Sequence, residues 1–289
     1  MLKKALIIND IPGSGKVASN ISFPILNVCQ YETSVLPTMI LSSQTGPFYT
    51  PPVQMEMEDK FIEFISHWQE NQLNFDLMLT GYFSTPQQID LTAKYFNSQK
   101  EKYPHNILIV DPVMADNGDF YPGFDHTFVE AYHGLLKSAH IITPNLTEAC
   151  FLTGRTFTNH LGQEDYEEIA SALVDLGVKH VVITSVYSQT EPKEIGFYYY
   201  HKNLDQGIFI GHKYFDQYFF GTGDLTVSLI TGLYGYGLDM ESVLIKTGNI
   251  IEKVLEYTVK QDRMTKQGLL FEPFLGQIYH EIEELRDGK

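Results

Sequence analysis

Short apolar runs alternate along most of the chain with longer stretches whose apolar positions recur every three or four residues. Residues 5–9 and 107–110 form runs dominated by apolar residues, the latter Ile-Leu-Ile-Val, as in strands buried on both faces of a parallel sheet. Residues 77–79, 140–142 and 181–183 repeat that pattern. Between them, 58–72 places Phe61, Ile62, Phe64, Ile65 and Trp68 on a helical stripe, and 86–99 does so with Ile89, Leu91, Ala93 and Phe96. Further helices are predicted over 128–136, 146–152 and 165–176. Residues 18–28 read as a helix interrupted by Pro24, and 34–37 with 39–41 as a second extended stretch. After residue 183 the pattern changes: 194–200 and 207–211 read as antiparallel strands, and 225–233, 240–257 and 278–285 as closing helices. Alternation of this kind implies an α/β fold, a mostly parallel central sheet with helices on both faces. No repeat or low-complexity linker divides the chain, so residues 1–289 are expected to form a single domain.

Composition narrows the partners. Hydrophobic residues make up 43% and charged residues 19% of 289, a globular balance. The formal net charge of −16, with no Lys/Arg cluster, argues against a nucleic-acid partner. It does not argue against nucleotides, which bind through local N–H groups and metal ions. Cys29 and Cys150 sit in apolar surroundings without CxxC spacing, so both are expected to be buried free thiols. No stretch approaches the length of a membrane span, and the apolar start is too short for a signal peptide; a cytoplasmic protein is expected.

Chemistry concentrates where the strands end, which in such sheets is where ligands gather. Gly221-Thr222-Gly223-Asp224 precedes an apolar helical run and reads as a tight turn opening a helix. The unpartnered N–H groups there make an anion site, and Asp224 in the first turn is placed to accept a proton. The same tetrapeptide also suits an ordinary helix start with Asp as dipole partner. Asp111-Pro112 follows the strand at 107–110, either as a common turn start or as a carboxylate for hydrated Mg²⁺. Asn145 and Glu148 have the spacing of a capping box, and equally of two groups facing a metal and phosphates. The polar loop Ser42-Ser43-Gln44-Thr45-Gly46 is a solvated turn or closes over a small polar ligand. Tyr82 after Gly81 is a stacking face or a buried ring. Gly13-Ser14-Gly15-Lys16 is not a Walker A motif, because position 10 is Asp and position 17 is Val; Lys16 is at most a lid cation. No G-x-S-x-G or G-x-G-x-x-G occurs, and none of the ten histidines has a partner that marks a metal site or triad.

Taken together these segments resemble the ribokinase-like superfamily, and within it the pyridoxal/pyridoxamine kinases. The resemblance is carried by Asn9-Asp10, Leu36-Pro37-Thr38 through Gly46, Thr80-Gly81-Tyr82, Asp111 through Gly118, Thr143-Pro144-Asn145 with Glu148, and Gly221 to Asp224. Hydroxymethylpyrimidine kinases share the Asp-Pro-Val-Met portion and are the nearest alternative; a non-catalytic vitamer- or nucleotide-binding protein is another. The resemblance implies ATP-dependent phosphorylation of the 5′-hydroxymethyl group of a vitamin B6 vitamer, with Mg²⁺, in a homodimer. It implies that Asp224 is the base and that Gly221, Thr222 and Gly223 supply the anion hole. Asp111, Asn145, Glu148 and Thr184 would serve the nucleotide, with Asp111 and Glu148 meeting Mg²⁺ through water. Asp10, Gln44, Thr45 and Tyr82 would hold the substrate ring, and the adenine pocket would lie within 204–255. Gln44 stands where many members have His, and it can neither ionise nor stack as imidazole does.

Overall fold

The computed structural model describes residues 2–46, 50–158, 161–191, 193–204, 206–261 and 268–287. In chain order the elements begin β1 (Lys4–Pro12), α1 (Ser19–Val28), β2 (Glu32–Leu41), β3 (Gln54–Glu56), α2 (Glu58–Glu70), β4 (Leu77–Thr80) and α3 (Pro86–Lys102). Next come β5 (Ile107–Val110), β6 (Ala115–Asp116), β7 (Asp119–Phe120), α4 (His126–Leu136), β8 (Ile141–Ile142), α5 (Leu146–Thr153) and α6 (Gln163–Asp175). The last are β9 (His180–Tyr187), β10 (Glu194–His201), β11 (Ile208–Lys213), α7 (Thr222–Tyr234), α8 (Met240–Lys260) and α9 (Leu275–Asp287).

Among the described residues, nine strands form one sheet in the order β11-β10-β9-β8-β5-β4-β1-β2-β3. The strands from β2 to β9 in that order run parallel, while β3, β10 and β11 add antiparallel edges. Alternate residues of the parallel strands feed two cores. Leu6, Ile8, Met78, Leu108 and Val110 pack with α2 to α6 on one face. Ala5, Ile7, Leu79, Ile109 and Val182 pack with α1, α7, α8 and α9 on the other. Both faces are covered, which is why these strands carry unbroken apolar runs. Cys29 and Cys150 are buried free thiols, and no helix among the described residues is long and apolar enough to cross a membrane.

One predicted break is absent. Helix α1 runs unbroken through Pro24. Its buried Ile21, Ile25 and Leu26 are clamped between the sheet and α7, and this packing outweighs one missing helical bond. The second extended stretch is the single strand β2, passing through Pro37 beside an irregularity. Asn9 pairs with Pro37 but Ile11 pairs with Ile40, so Asp10 faces two residues, Thr38 and Met39. Such a bulge re-aims side chains, and here it falls at the end of β1 where Asp10 enters the site. The Asn117-Gly118 turn closes the β6–β7 hairpin with φ of 52° and 89°. Strand β3 gave no sequence signal; three exposed residues carry no alternation to read.

Candidate active site

The C-terminal ends of β1, β4, β5 and β8 place Asn9, Asp10, Gly81, Asp111 and Asn145 along one edge of the sheet, beside the start of α7. Gly221 caps that helix at φ 86°. A Cβ at Gly221 would lie 2.3 Å from the Lys16 carbonyl oxygen, so only glycine lets the two loops touch. Having no side chain, it cannot cap the first N–H groups of α7, and Gly223 beside them is exposed with open space around it. That is the bare helix start the sequence predicts.

Asp224 turns back toward α1 and β1. Its carboxyl sits at about 6: burial raises it, while the Ala18 backbone N–H and the Asn9 side chain pull it down. Asp10, 6% exposed, is raised to about 7 by burial first and by the Asp224 charge second. Asp111 is raised well above the carboxylate range, again by burial and then by Asp224. Asp10, Asp111 and Asp224 therefore share one low-dielectric recess. Tyr82 joins them: burial, then the Asp10 charge, raises its phenol, and its ring meets Phe124 edge-on at 5.6 Å.

At residues 145–148 the structure shows the capping-box reading: the Asn145 oxygen accepts from Glu148 N at 3.0 Å, and Glu148 Oε2 accepts from Asn145 N at 2.9 Å. Glu148 Oε1 also accepts from Met114 N at 3.1 Å, and the carboxyl is raised by burial and by Asp111. A helix cap thus places a second buried carboxylate against Asp111. Asn145 donates to the Ala115 carbonyl at 2.7 Å and bridges to Thr184, whose N–H donates to the Pro144 carbonyl at 2.8 Å.

Among the described residues no group of three or more His, Cys, Asp or Glu converges on a metal position. Asp111 and Glu148 nevertheless set two carboxyls together out of solvent, where a nearby cation would favour their ionised form. That donor set fits hydrated Mg²⁺, which takes few direct protein ligands, and does not fit a chelated transition metal.

The loop at 42–46 is less open than expected. Gln44 is 1% exposed; its N–H donates to the Ser14 carbonyl at 2.8 Å and its Oε1 accepts from Lys16 N at 3.0 Å. It packs on Gly15 so closely that a Cβ there would lie 2.4 Å from Oε1. Gln44 therefore holds the 13–16 turn. Thr45 is exposed beside it and is not among the groups that meet Asp224. Lys16 is no free lid cation: its ammonium pairs with Glu272 and lies over the Phe271 ring at 5.2 Å.

Sequence reading passed over three groups. Asn9 was seen only as part of a motif, yet its Oδ1 accepts from the backbone N–H groups of Asp10 and Tyr82. Ala18, in the strained conformation φ 52°, ψ −133°, has an N–H that helps hold the Asp224 carboxyl down. Tyr121 lies close enough to Glu148, Asp116, Tyr218 and Asp111 for each charge to raise its phenol further after burial. Asn9 had a signal, a polar residue at the end of an apolar strand; Ala18 had none.

An open, mostly parallel sheet with a glycine-started helix over its strand ends is the architecture of the ribokinase-like superfamily. Within it the chain belongs to the phosphomethylpyrimidine kinase family, whose model matches residues 52–267. It is 34% identical over 175 residues to a pyridoxal kinase of Dictyostelium discoideum, a match covering 57% of this chain and 56% of that protein. The chain thus spans little more than half the length of that relative. With a pyridoxal kinase of Arabidopsis thaliana it shares 30% identity over 214 residues, 73% of this chain and 67% of the relative. The crystal structure of pyridoxal kinase from Lactobacillus plantarum superposes with a TM-score of 0.90 at 28% identity, covering 98% of this chain and 99% of the other.

Proposed function

We propose that this protein is an ATP-dependent kinase that phosphorylates the 5′-hydroxymethyl group of a vitamin B6 vitamer. The observation that carries the reading is Asp224, a half-buried carboxylate beside the bare start of α7 and in one recess with Asp10 and Asp111. Near 6, it is ionised at neutral pH and remains basic enough to take a proton. In the reaction the vitamer's hydroxyl oxygen attacks the γ-phosphorus of ATP as Asp224 accepts the hydroxyl proton. The bond to the β–γ bridging oxygen breaks and ADP leaves. The transition state is loose, so positioning and charge neutralisation do most of the work. The N–H groups at Gly221 to Gly223 face the equatorial oxygens of the phosphoryl group. Asp10, Thr45 and Tyr82 serve the vitamer side. Asn145 and Thr184 serve the nucleotide side, and Gln44 shapes the vitamer pocket through the 13–16 turn. Mg²⁺, held through water by Asp111 and Glu148, would neutralise phosphate charge. The proposal includes a homodimeric, cytoplasmic protein, which sedimentation and cell fractionation test.

The relatives named as pyridoxal kinases favour the vitamer; the family description favours a second reading, a hydroxymethylpyrimidine acceptor. Incubation with ATP, Mg²⁺ and each alcohol separately, with product identified by mass, decides between them. No phosphorylated product from any vitamer removes the first reading. Asp224→Ala is expected to lower kcat by ~10²- to 10⁴-fold with ATP binding nearly unchanged; a variant as active as the parent removes Asp224 from the role of base.

A further inference from the structure

Three segments far apart in the chain meet at Lys16. Its backbone N–H donates to Gln44 Oε1 at 3.0 Å, and the Gly15 carbonyl before it accepts from Asn20 Nδ2 at 3.0 Å. Its carbonyl oxygen lies against the start of α7, where it leaves no room for a Cβ at Gly221. The third segment is 268–272. Gly268, at φ 74°, packs on the lysine stem: a Cβ there would lie 2.7 Å from Lys16 Cβ. Beyond it the ammonium pairs with Glu272 and lies over the Phe271 ring. That segment is itself anchored. Leu269 and Phe271 are buried in the core shared with α7 and α8, and the Leu270 N–H donates to Thr258 Oγ1 on α8 at 3.0 Å.

We propose that Lys16 is a positioning residue for the phosphoryl-binding start of α7, and that Glu272 holds it in place. Gly221 has no side chain to fix its own backbone, and no side-chain cap orders the N–H groups that follow. What bounds that turn from outside is the Lys16 carbonyl. The 13–16 turn contains two glycines and is as permissive, so its own place depends on Gln44 at one side and Glu272 at the other. An ammonium engaged by Glu272 is not offered to a phosphate oxygen; Lys16 reaches the reaction through its backbone and not through its charge. Glu272 is 49% exposed, and an ion pair so placed adds little to stability. Its loss is therefore read in the rate, where a small displacement of the phosphate-binding N–H groups counts heavily. The catalytic consequence rests on the kinase reading above; the link from Glu272 through Lys16 to Gly221 does not.

The experiment is a double-mutant cycle on the full chain, Lys16→Met with Glu272→Gln, alongside Lys16→Arg. Each single variant of the cycle is expected to lose ~3- to 30-fold in kcat with KM for ATP within about threefold. The double variant is expected to lose no more than the worse single one, because both remove the same pair. Lys16→Arg keeps the pair and the contact with Phe271, and is expected to stay within about threefold of the parent. A lysine that served a phosphate directly would behave differently: Glu272→Gln would free its ammonium and leave kcat at or above that of the parent. That result overturns the proposal, as do effects that multiply in the double variant or a loss confined to KM. Hydrogen exchange of a peptide spanning 219–230 reads the same link without any turnover. It is expected to quicken several-fold in Lys16→Met and in Glu272→Gln, and no further in the double variant. Exchange unchanged from the parent overturns the proposal as well. A parent protein that phosphorylates no alcohol, but whose exchange responds in this way, would sink the kinase reading and leave the link standing.

Discussion

Asp224 and Asp10 lie in the same recess, yet burial lifts them to about 6 and about 7 respectively, because the Ala18 N–H and the Asn9 side chain hold Asp224 down while Asp10 also faces the Asp224 charge. Each value has a measurable consequence. With Asp224 as base, kcat/KM is expected to fall about tenfold per pH unit below about 6 and to level off above it. A profile flat from pH 5 to 8 removes that role. Asp10 bears on stability. Its folded value, about 7, lies above the ordinary carboxyl value of 3.8, so across that window the folded state binds more protons than the unfolded one. Stability from this group is full below 3.8 and lost as pH rises through 7. Asp10→Asn is therefore expected to raise the melting temperature by several degrees at pH 8, on the order of 2–4 kcal/mol, while impairing substrate binding. The gap to the parent should close toward pH 4; a variant less stable than the parent at pH 8 contradicts the reading. The carboxylates were legible in the sequence as polar residues at strand ends. Their unequal basicity was not, since it depends on donors from other segments.

Helix α7 shows how an element serves both packing and chemistry. Its start is shaped by Gly221, which no other residue replaces because the Lys16 carbonyl lies so close. Its far end packs on the residue that follows α1: a Cβ at Gly232 would lie 2.5 Å from Cys29 Sγ, and the Gly232 carbonyl accepts from the Tyr31 hydroxyl at 3.0 Å. Alanine is the better helix former by about 1 kcal/mol, yet Gly232→Ala is expected to destabilise by ~1–3 kcal/mol through overpacking. Urea denaturation measures it, and a stabilised variant would mean that the two helices separate without cost. The same contact explains why α1 tolerates Pro24: residues pressed between β1 and α7 stay helical for tertiary reasons. Local rules predicted a break there because they count hydrogen bonds and not neighbours. At α5 the local rule worked in full, and the capping box that ends one ambiguity also sets Glu148 against Asp111.

Across the whole molecule the two cores lie on opposite faces of one sheet, and the strands from β2 to β9 contribute side chains to both. Neither core can be lost while the other keeps its wall, so thermal unfolding is expected as a single calorimetric transition for residues 1–289. Two separable transitions would show that the chain is divided. The unbroken runs at 5–9 and 107–110, the helical stripes and the turn at residue 221 were enough to determine an α/β sheet and the edge where its chemistry lies, because side-chain period and backbone preference are local properties. The tertiary structure alone decided that Gln44 holds the 13–16 turn, that Lys16 is paired with Glu272, and that Asn9 accepts from the Tyr82 N–H. Those contacts join residues up to two hundred and more positions apart, and only the folding of the sheet brings their donors and acceptors within reach.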